Sequence, residues 1–328
     1  MKLKLLPLAI GAAIAMPGLA LADAPTVYGK LNVSYENTNQ EIDPLEGRTD
    51  DEDVWELVSN ASRFGVKGSE KISNSLDAIY QIEWQVDTTG DGSDLSQRNR
   101  FVGLKGGFGE FVVGKFDTPL KASQGKIDQF NDSVGDIKNL ADGEIRANDI
   151  LQYSSPKIAD AVQFKLAVMP GETTEDDGPA DYISASVAFS TDVVYLALAV
   201  DDEVAGKDIV RLVGQVKAGA VEVGALIQRS ESSESSNDYE ADSLILSGAV
   251  KVGSSGKIKG QIGMLEVDGG SEGSQLALGY DHSLSKQTKV YGFINVYDYE
   301  DVTISLAGTE IVGDLTTRTL GVGMEHKF

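Results

Sequence analysis

Between Leu76 and Asp87 the chain is apolar at every second residue: Leu76, Ala78, Tyr80, Ile82, Trp84 and Val86, against polar Asp77, Gln81, Glu83 and Gln85. A period of two puts all six apolar side chains on one face of a strand. The same period returns at Val162, Phe164, Leu166 and Val168, at Ile183, Ala185, Val187 and Phe189, and at Leu276, Leu278 and Tyr280. It also ends the chain, where Leu320, Val322, Met324 and Phe328 oppose Gly321, Gly323, Glu325 and Lys327. Free termini of water-soluble domains are usually frayed and polar. A strand with lipid on one face and water on the other needs this alternation. Helical i, i+3, i+4 stripes are scarce, so the chain is read as all-β.

Strands are predicted at 26–36, 58–68, 76–87, 98–106, 110–117, 148–155, 161–169, 182–190, 193–201, 208–217, 221–230, 242–251, 257–267, 274–283, 288–299 and 317–328. The count is sixteen, an even number, as a closed antiparallel transmembrane β-barrel requires. Connections are either short, as at Thr191-Asp192, Ala218-Gly219-Ala220 and Gly106-Gly107-Phe108-Gly109, or long and acidic or Ser/Gly-rich, as at 37–57, 88–97, 170–181, 231–241 and 300–316. One connection, 118–147, lacks alternation and carries Asp128, Asp132, Asp136, Asp142 and Glu144. A structureless stretch of that length in a compact fold is usually functional.

The N-terminus reads as a cleaved export leader over 1–22. Lys2 and Lys4 precede an uncharged stretch, and Ala20-Leu21-Ala22 fits the small-x-small cleavage rule before Asp23. The barrel domain is then 23–328. No later run is long enough for a transmembrane helix. Cysteine is absent, which removes disulfide and thiolate chemistry. The net charge of −23 becomes −25 once the two leader lysines are gone. Such a surface excludes nucleic acid, whose phosphates need basic partners, and favours cations.

Other motifs carry less. Gly109 to Phe116 approaches a phosphate-binding P-loop, but Phe116 stands where Ser or Thr would hold magnesium. Asp50-Asp51-Glu52-Asp53 and the acidic run from Asp87 to Asp94 match no defined calcium loop and read as solvated acid. Neither His282 nor His326 belongs to a catalytic constellation, so no enzyme, resident metal or cofactor is expected. Tyr28, Tyr35, Trp84, Tyr153, Tyr195, Tyr280 and Tyr297 fall near strand ends, where they form interfacial girdles or line the interior.

Several stretches, in order along the chain, resemble the general bacterial porin family. They are Val27-Tyr28-Gly29-Lys30-Leu31, Ser62-Arg63-Phe64-Gly65-Val66-Lys67-Gly68 and Arg100-Phe101-Val102-Gly103-Leu104. Gly114-Lys115-Phe116-Asp117-Thr118-Pro119 follows, then Arg146-Ala147-Asn148-Asp149-Ile150 and Tyr153-Ser154-Ser155-Pro156. Leu284-Ser285-Lys286-Gln287-Thr288 and Val290-Tyr291-Gly292 precede the last strand. Phe328 resembles the C-terminal signal by which outer-membrane barrels are recognised for insertion.

The resemblance implies a homotrimer of sixteen-stranded channels in the outer membrane of a Gram-negative cell, with the third long loop folded inward. Acidic candidates for the resulting constriction are Asp128, Asp132 and Asp136. Basic wall candidates are Arg63, Arg98, Arg100, Lys115 and Arg146. Opposed charges across a narrow gap create a transverse field that favours dipolar solutes. Lys115 and Gln287 stand where the family often has arginine, which counts against anion selectivity. The expected function is passive diffusion of small hydrophilic solutes and ions with cation preference. The alternatives are a substrate-specific channel with a saturable site and a non-conducting structural or adhesive barrel. Expected partners are outer-membrane lipid and lipopolysaccharide, bridged by divalent cations.

Overall fold

A computed structural model describes residues 24–328 apart from 45–49, 91, 93, 173–177, 235–237 and 307–308. The leader at 1–22 and its cleavage site lie outside the described residues. Strand β1 is Thr26–Pro44. Strand β2 runs in two pieces, Asp50–Ser59 and Arg63–Ser73. Then come β3 (Leu76–Val86), β4 (Leu95–Gly106), β5 (Gly109–Asp117), β6 (Arg146–Ser154), β7 (Val162–Met169) and β8 (Tyr182–Ser190). The second half comprises β9 (Val194–Val204), β10 (Lys207–Ala218), β11 (Val221–Ser232), β12 (Glu240–Val252), β13 (Gly256–Val267), β14 (Glu272–Ser283), β15 (Thr288–Leu306) and β16 (Thr309–Lys327).

Each strand pairs antiparallel with its chain neighbours, and β16 closes the ring on β1 from Lys30↔Lys327 to Pro44↔Gly313. The two pieces of β2 pair with successive parts of β1, Val33–Ile42 and Thr26–Lys30. The break between them falls at Asn60–Ser62, where Ala61 has a φ of 48°. The barrel is therefore sixteen-stranded, with every predicted strand present in order.

The pleat sorts side chains as the hydropathy pattern requires. Leu320, Val322 and Met324 of β16 and Phe328 just past its end are exposed, while Thr319, Gly321 and Glu325 on the other face are buried. An outward apolar face of this kind is stable only against lipid. Tyr35, Tyr153 and Tyr280 are exposed on this outer face. Tyr28 and Tyr297 face the other way, bonding to Glu83 and to the backbone of Val134.

One end of the barrel has tight connections at 74–75, 107–108, 191–193, 219–220, 253–255 and 284–287. The other end carries 87–94, 118–145 and 170–181. The chain stretches 37–57 and 300–316 differ from their prediction as loops. Strands β1, β15 and β16 are 19 residues each and continue through most of both stretches. Here residues such as Asn37, Thr38, Asn39, Gln40 and Glu41 are polar on both faces. Water on both sides erases the alternation while the backbone ladder continues.

Candidate functional site

The connection 118–145 leaves β5 with its own local structure. Thr118 caps the short helix α1 (Pro119–Ser123), its hydroxyl accepting from Lys121 N at 3.1 Å, with Pro119 in the first turn. Asp136 caps a single 3₁₀ turn, Ile137–Asn139. Between and around these turns Leu120, Ile127, Phe130, Ile137 and Leu140 are buried to 2% exposure or less.

Their partners are wall residues. Ile127, Ile137 and Leu140 cluster with Ala197 of β9, Val213 of β10, Leu226 of β11, Ile245 of β12 and Tyr297 of β15. Phe130 packs on Ala277 and Phe293. Those wall positions alternate with exposed Leu196, Leu212, Ile227 and Leu246, so this part of the barrel is apolar on both faces. Each fully buried Leu, Ile or Phe contributes roughly 1.5–3 kcal/mol by removal from water.

Glycines in the wall make room. A Cβ at Gly263 would lie 2.4 Å from Leu140 Cδ1, and one at Gly224 would lie 2.7 Å from Ile127 Cγ2. Gly263→Val is therefore expected to displace Leu140 and destabilise the protein by about 1–3 kcal/mol, as overpacking does. Urea unfolding followed by tryptophan fluorescence measures this; an unchanged midpoint would refute the seat.

Polar wall residues satisfy the connection's backbone. Gln261 and Gln275 both donate to the Gly135 carbonyl, at 2.9 and 2.7 Å. Ser243 donates to Leu140 O at 2.6 Å, and Tyr195 to Ser123 O at 2.8 Å. Arg211 of β10 is fully buried. It donates to Glu144 Oε1 at 2.6 Å, Asp142 O at 2.7 Å, Gln228 Oε1 at 2.7 Å and Leu120 O at 3.3 Å.

With the connection fixed to β9–β15, a cavity of about 980 Å³ lies between it and β1–β6 and β16. Its lining is charged. Asp132 at the tip of the connection reaches Lys30 of β1 at 2.7 Å and Arg63 of β2 at 3.0 Å. Burial alone would raise the Asp132 carboxyl, but Lys30 and Arg63 outweigh it and hold the group below its usual range. Arg98 Nε pairs with Glu83 Oε1 at 2.6 Å, and Arg146 with Asp117 at 3.0 Å. Arg63, Arg98, Arg146, Lys121 and Lys138 thus face Glu36, Glu56, Glu83, Asp117, Asp132, Asp136 and Glu144 in one space. Carboxylates outnumber cations.

Of the candidates named from sequence, Asp132, Asp136, Arg63, Arg98 and Arg146 line this space. Asp136 does so while its carboxylate accepts from Asp132 N and Lys138 N. Asp128 turns into its own loop, accepting from Phe130 N at 2.9 Å and Ile137 N at 3.3 Å. Arg100 and Lys115 are cross-strand partners on the outer face, with Arg100 5.1 Å from the Trp84 ring and Lys115 bonded to Asn148. A bulge between Ile82 and Trp84 shifts the register of β3 against β4, so Arg98 and Arg100 fall on opposite faces despite equal parity.

Sequence reasoning missed Lys30, Glu83, Asp117 and Arg211. Each is a single charge in an otherwise ordinary strand, and only the pairing brings it to its partner. The stretch from Gly109 to Phe116, close to a P-loop in sequence, is strand β5, paired with β4 and β6 on either side with one register shift against β6 between Gly114 and Phe116. Asp87 holds its own turn, accepting from Thr89 N and Gly92 N. The side chains of Asp50, Asp51 and Glu52, and residues Asp91 and Ser93, lie outside those described. Among the described residues no group of three or more His, Asp or Glu side chains is arranged to hold a metal.

A family model described as Gram-negative porin matches residues 9–302. The chain is 26% identical over 337 residues to the major outer membrane protein P.IB of Neisseria meningitidis serogroup B, covering 96% of this chain and 97% of that one. Among solved structures it resembles an anion-selective porin from Comamonas acidovorans, with TM-score 0.72 and 21% identity over 93% of this chain and 99% of that one. It also resembles OmpT of Vibrio cholerae in its trimer form, with TM-score 0.69 and 18% identity over 93% of this chain and all of the other.

Proposed function

Because this chain belongs to the Gram-negative porin family and is an outer-membrane β-barrel channel, we propose that it passes small hydrophilic solutes and ions by passive diffusion, without catalysis. The 118–145 connection narrows the route, and the charged space beside β1–β6 is the aperture. The observation that carries this reading is the contact of Asp132 on the connection with Lys30 and Arg63 of the wall at the margin of that space. Fixed opposite charges at close quarters favour polar, hydrated solutes over apolar ones.

Seven carboxylates against five cations in the lining support a preference for cations. The Comamonas porin has the opposite character, and at 21% identity its likeness speaks for the fold alone. Reversal potentials of single channels in a KCl gradient test the preference. A potential of the sign set by K⁺ is expected, and one set by Cl⁻ would overturn it. The same reading makes the protein a homotrimer, in keeping with the trimeric OmpT form. It also seats the outer apolar face in lipid and lipopolysaccharide, with divalent cations bridging exposed carboxylates.

A further inference from the structure

The 118–145 connection has a second side. Gln124 and Asn131 line the acidic space described above, and they also line a separate cavity of about 510 Å³. This second cavity lies at the barrel end with the tight connections. Its wall residues stand beside the turns 219–220, 253–255 and 284–287: Lys217, Glu222, Lys257 and Lys289 are each within two residues of a strand end.

The charge here runs against the whole chain. Lys126, Lys217, Lys257, Lys259 and Lys289 share the cavity with only Asp128, Glu222 and Asp281, in a protein of net charge −23. Two of the carboxylates are committed. Asp281 is divided between Lys259 at 3.2 Å and Lys289 at 3.1 Å. Asp128 is taken by two backbone N–H groups. Glu222 reaches Lys257 only at 3.7 Å. Among the described residues the ammonium groups of Lys126 and Lys217 have neither an ion pair nor a hydrogen bond.

Asp281 and Glu222 offset Lys259, Lys289 and Lys257 in part, which leaves Lys126 and Lys217 as like charges in one small space with no countercharge of their own. We propose that this cavity is a binding subsite for small multivalent anions of the carboxylate or phosphate class, with Lys126 and Lys217 as its free donors. Lysine ammoniums are compact point charges on flexible stems, so the site selects by charge number and size, not by a planar fork. It stands in series with the acid-rich aperture. Cations are favoured on one side of the connection and anions are held on the other. A multivalent anion arriving from the tight-turn end meets the lysines without first crossing the aperture.

The subsite rests on the channel reading, and one recording separates the two. Single-channel KCl conductance without further additions reports the pore, and citrate added at constant ionic strength reports the subsite. The expected result is a saturable citrate block, stronger from the tight-turn side. Combining Lys126→Gln with Lys217→Gln weakens citrate affinity about tenfold, as loss of two charge-assisted contacts does. Lys286→Gln removes the same charge from the turn 284–287 without lining the cavity, and it leaves the block unchanged. Citrate block that fails to saturate, or that Lys286→Gln weakens as much as the double substitution, would overturn the subsite while leaving the conducting pore intact. Absence of KCl conductance would instead overturn the channel reading on which it rests.

Discussion

Arg211→Ala is expected to lower folding stability by about 3–5 kcal/mol, the usual cost of removing one partner from a buried ion pair. The pair with Glu144 is sealed, with side-chain exposures of 0% and 6%, so solvent screening does not soften the loss. Arg211 also ties down the carbonyls of Leu120 and Asp142, the two limbs of the connection. Truncation therefore leaves the Glu144 carboxylate buried without its countercharge, while the Leu120 and Asp142 carbonyls keep only Ser123 and Gln228 as donors.

One response limits the damage. Burial pushes the Glu144 carboxyl above its usual range even with Arg211 beside it, so in the variant Glu144 takes up a proton. Pairing Arg211→Met with Glu144→Gln removes both charges and keeps the volume, and should recover most of the loss. Urea unfolding of the single and double variants in lipid measures the coupling. A loss below about 1 kcal/mol for Arg211→Ala would mean that apolar contacts alone seat the connection.

Asp132→Asn should change what the pore selects more than it changes the fold. The substitution keeps the shape and removes the single carboxylate that holds both Lys30 and Arg63. Arg63 then loses its carboxylate partner, and Lys30 keeps only Glu325 at 3.9 Å. The K⁺ to Cl⁻ permeability ratio is expected to fall roughly three- to tenfold, a change of about 0.7–1.4 kcal/mol that is modest for a partly screened charge. Reversal potentials read the ratio directly, and an unchanged value would remove Asp132 from the selectivity mechanism.

The same group predicts the pH response. Its carboxyl is held below its ordinary value of 3.8, so the clasp is fully present at neutral pH. Its contribution is lost only as pH falls through the depressed folded value. Wild-type selectivity should therefore move toward that of Asp132→Asn in strong acid, with the variant showing a smaller shift over the same range.

Much of the fold is legible in the chain because lipid on one face and water on the other impose a period of two on the spanning strands. Leu76 to Val86 and Leu320 to Phe328 show this directly. Where water wets both faces, as along Asn37–Glu41, the signal disappears although the strand continues. The site was legible only in part. Asp132 and Arg63 announce themselves as charges in suspicious places, but which face Arg98 or Arg100 occupies depends on a bulge in the pairing of β3 and β4. Arg211 sits between Val210 and Leu212 and looks like any water-facing position. Its partner lies 67 residues away, and nothing local records that. The apolar residues Ile127, Phe130, Ile137 and Leu140 carry no period, since each fits a separate niche in a finished wall.

The seating of that connection bears on when its backbone opens. Loops ordinarily exchange their amide hydrogens first, because few buried contacts must break to expose them. Here Leu120, Ile127, Phe130, Ile137 and Leu140 are as buried as any residue in the barrel, and wall glutamines and Arg211 hold the carbonyls between them. The amides of Ile137, Leu140 and Ala141 should then exchange with deuterium as slowly as those of the strands they rest on. If the connection narrows the channel as proposed, that narrowing would keep its width for as long as the wall itself stays folded.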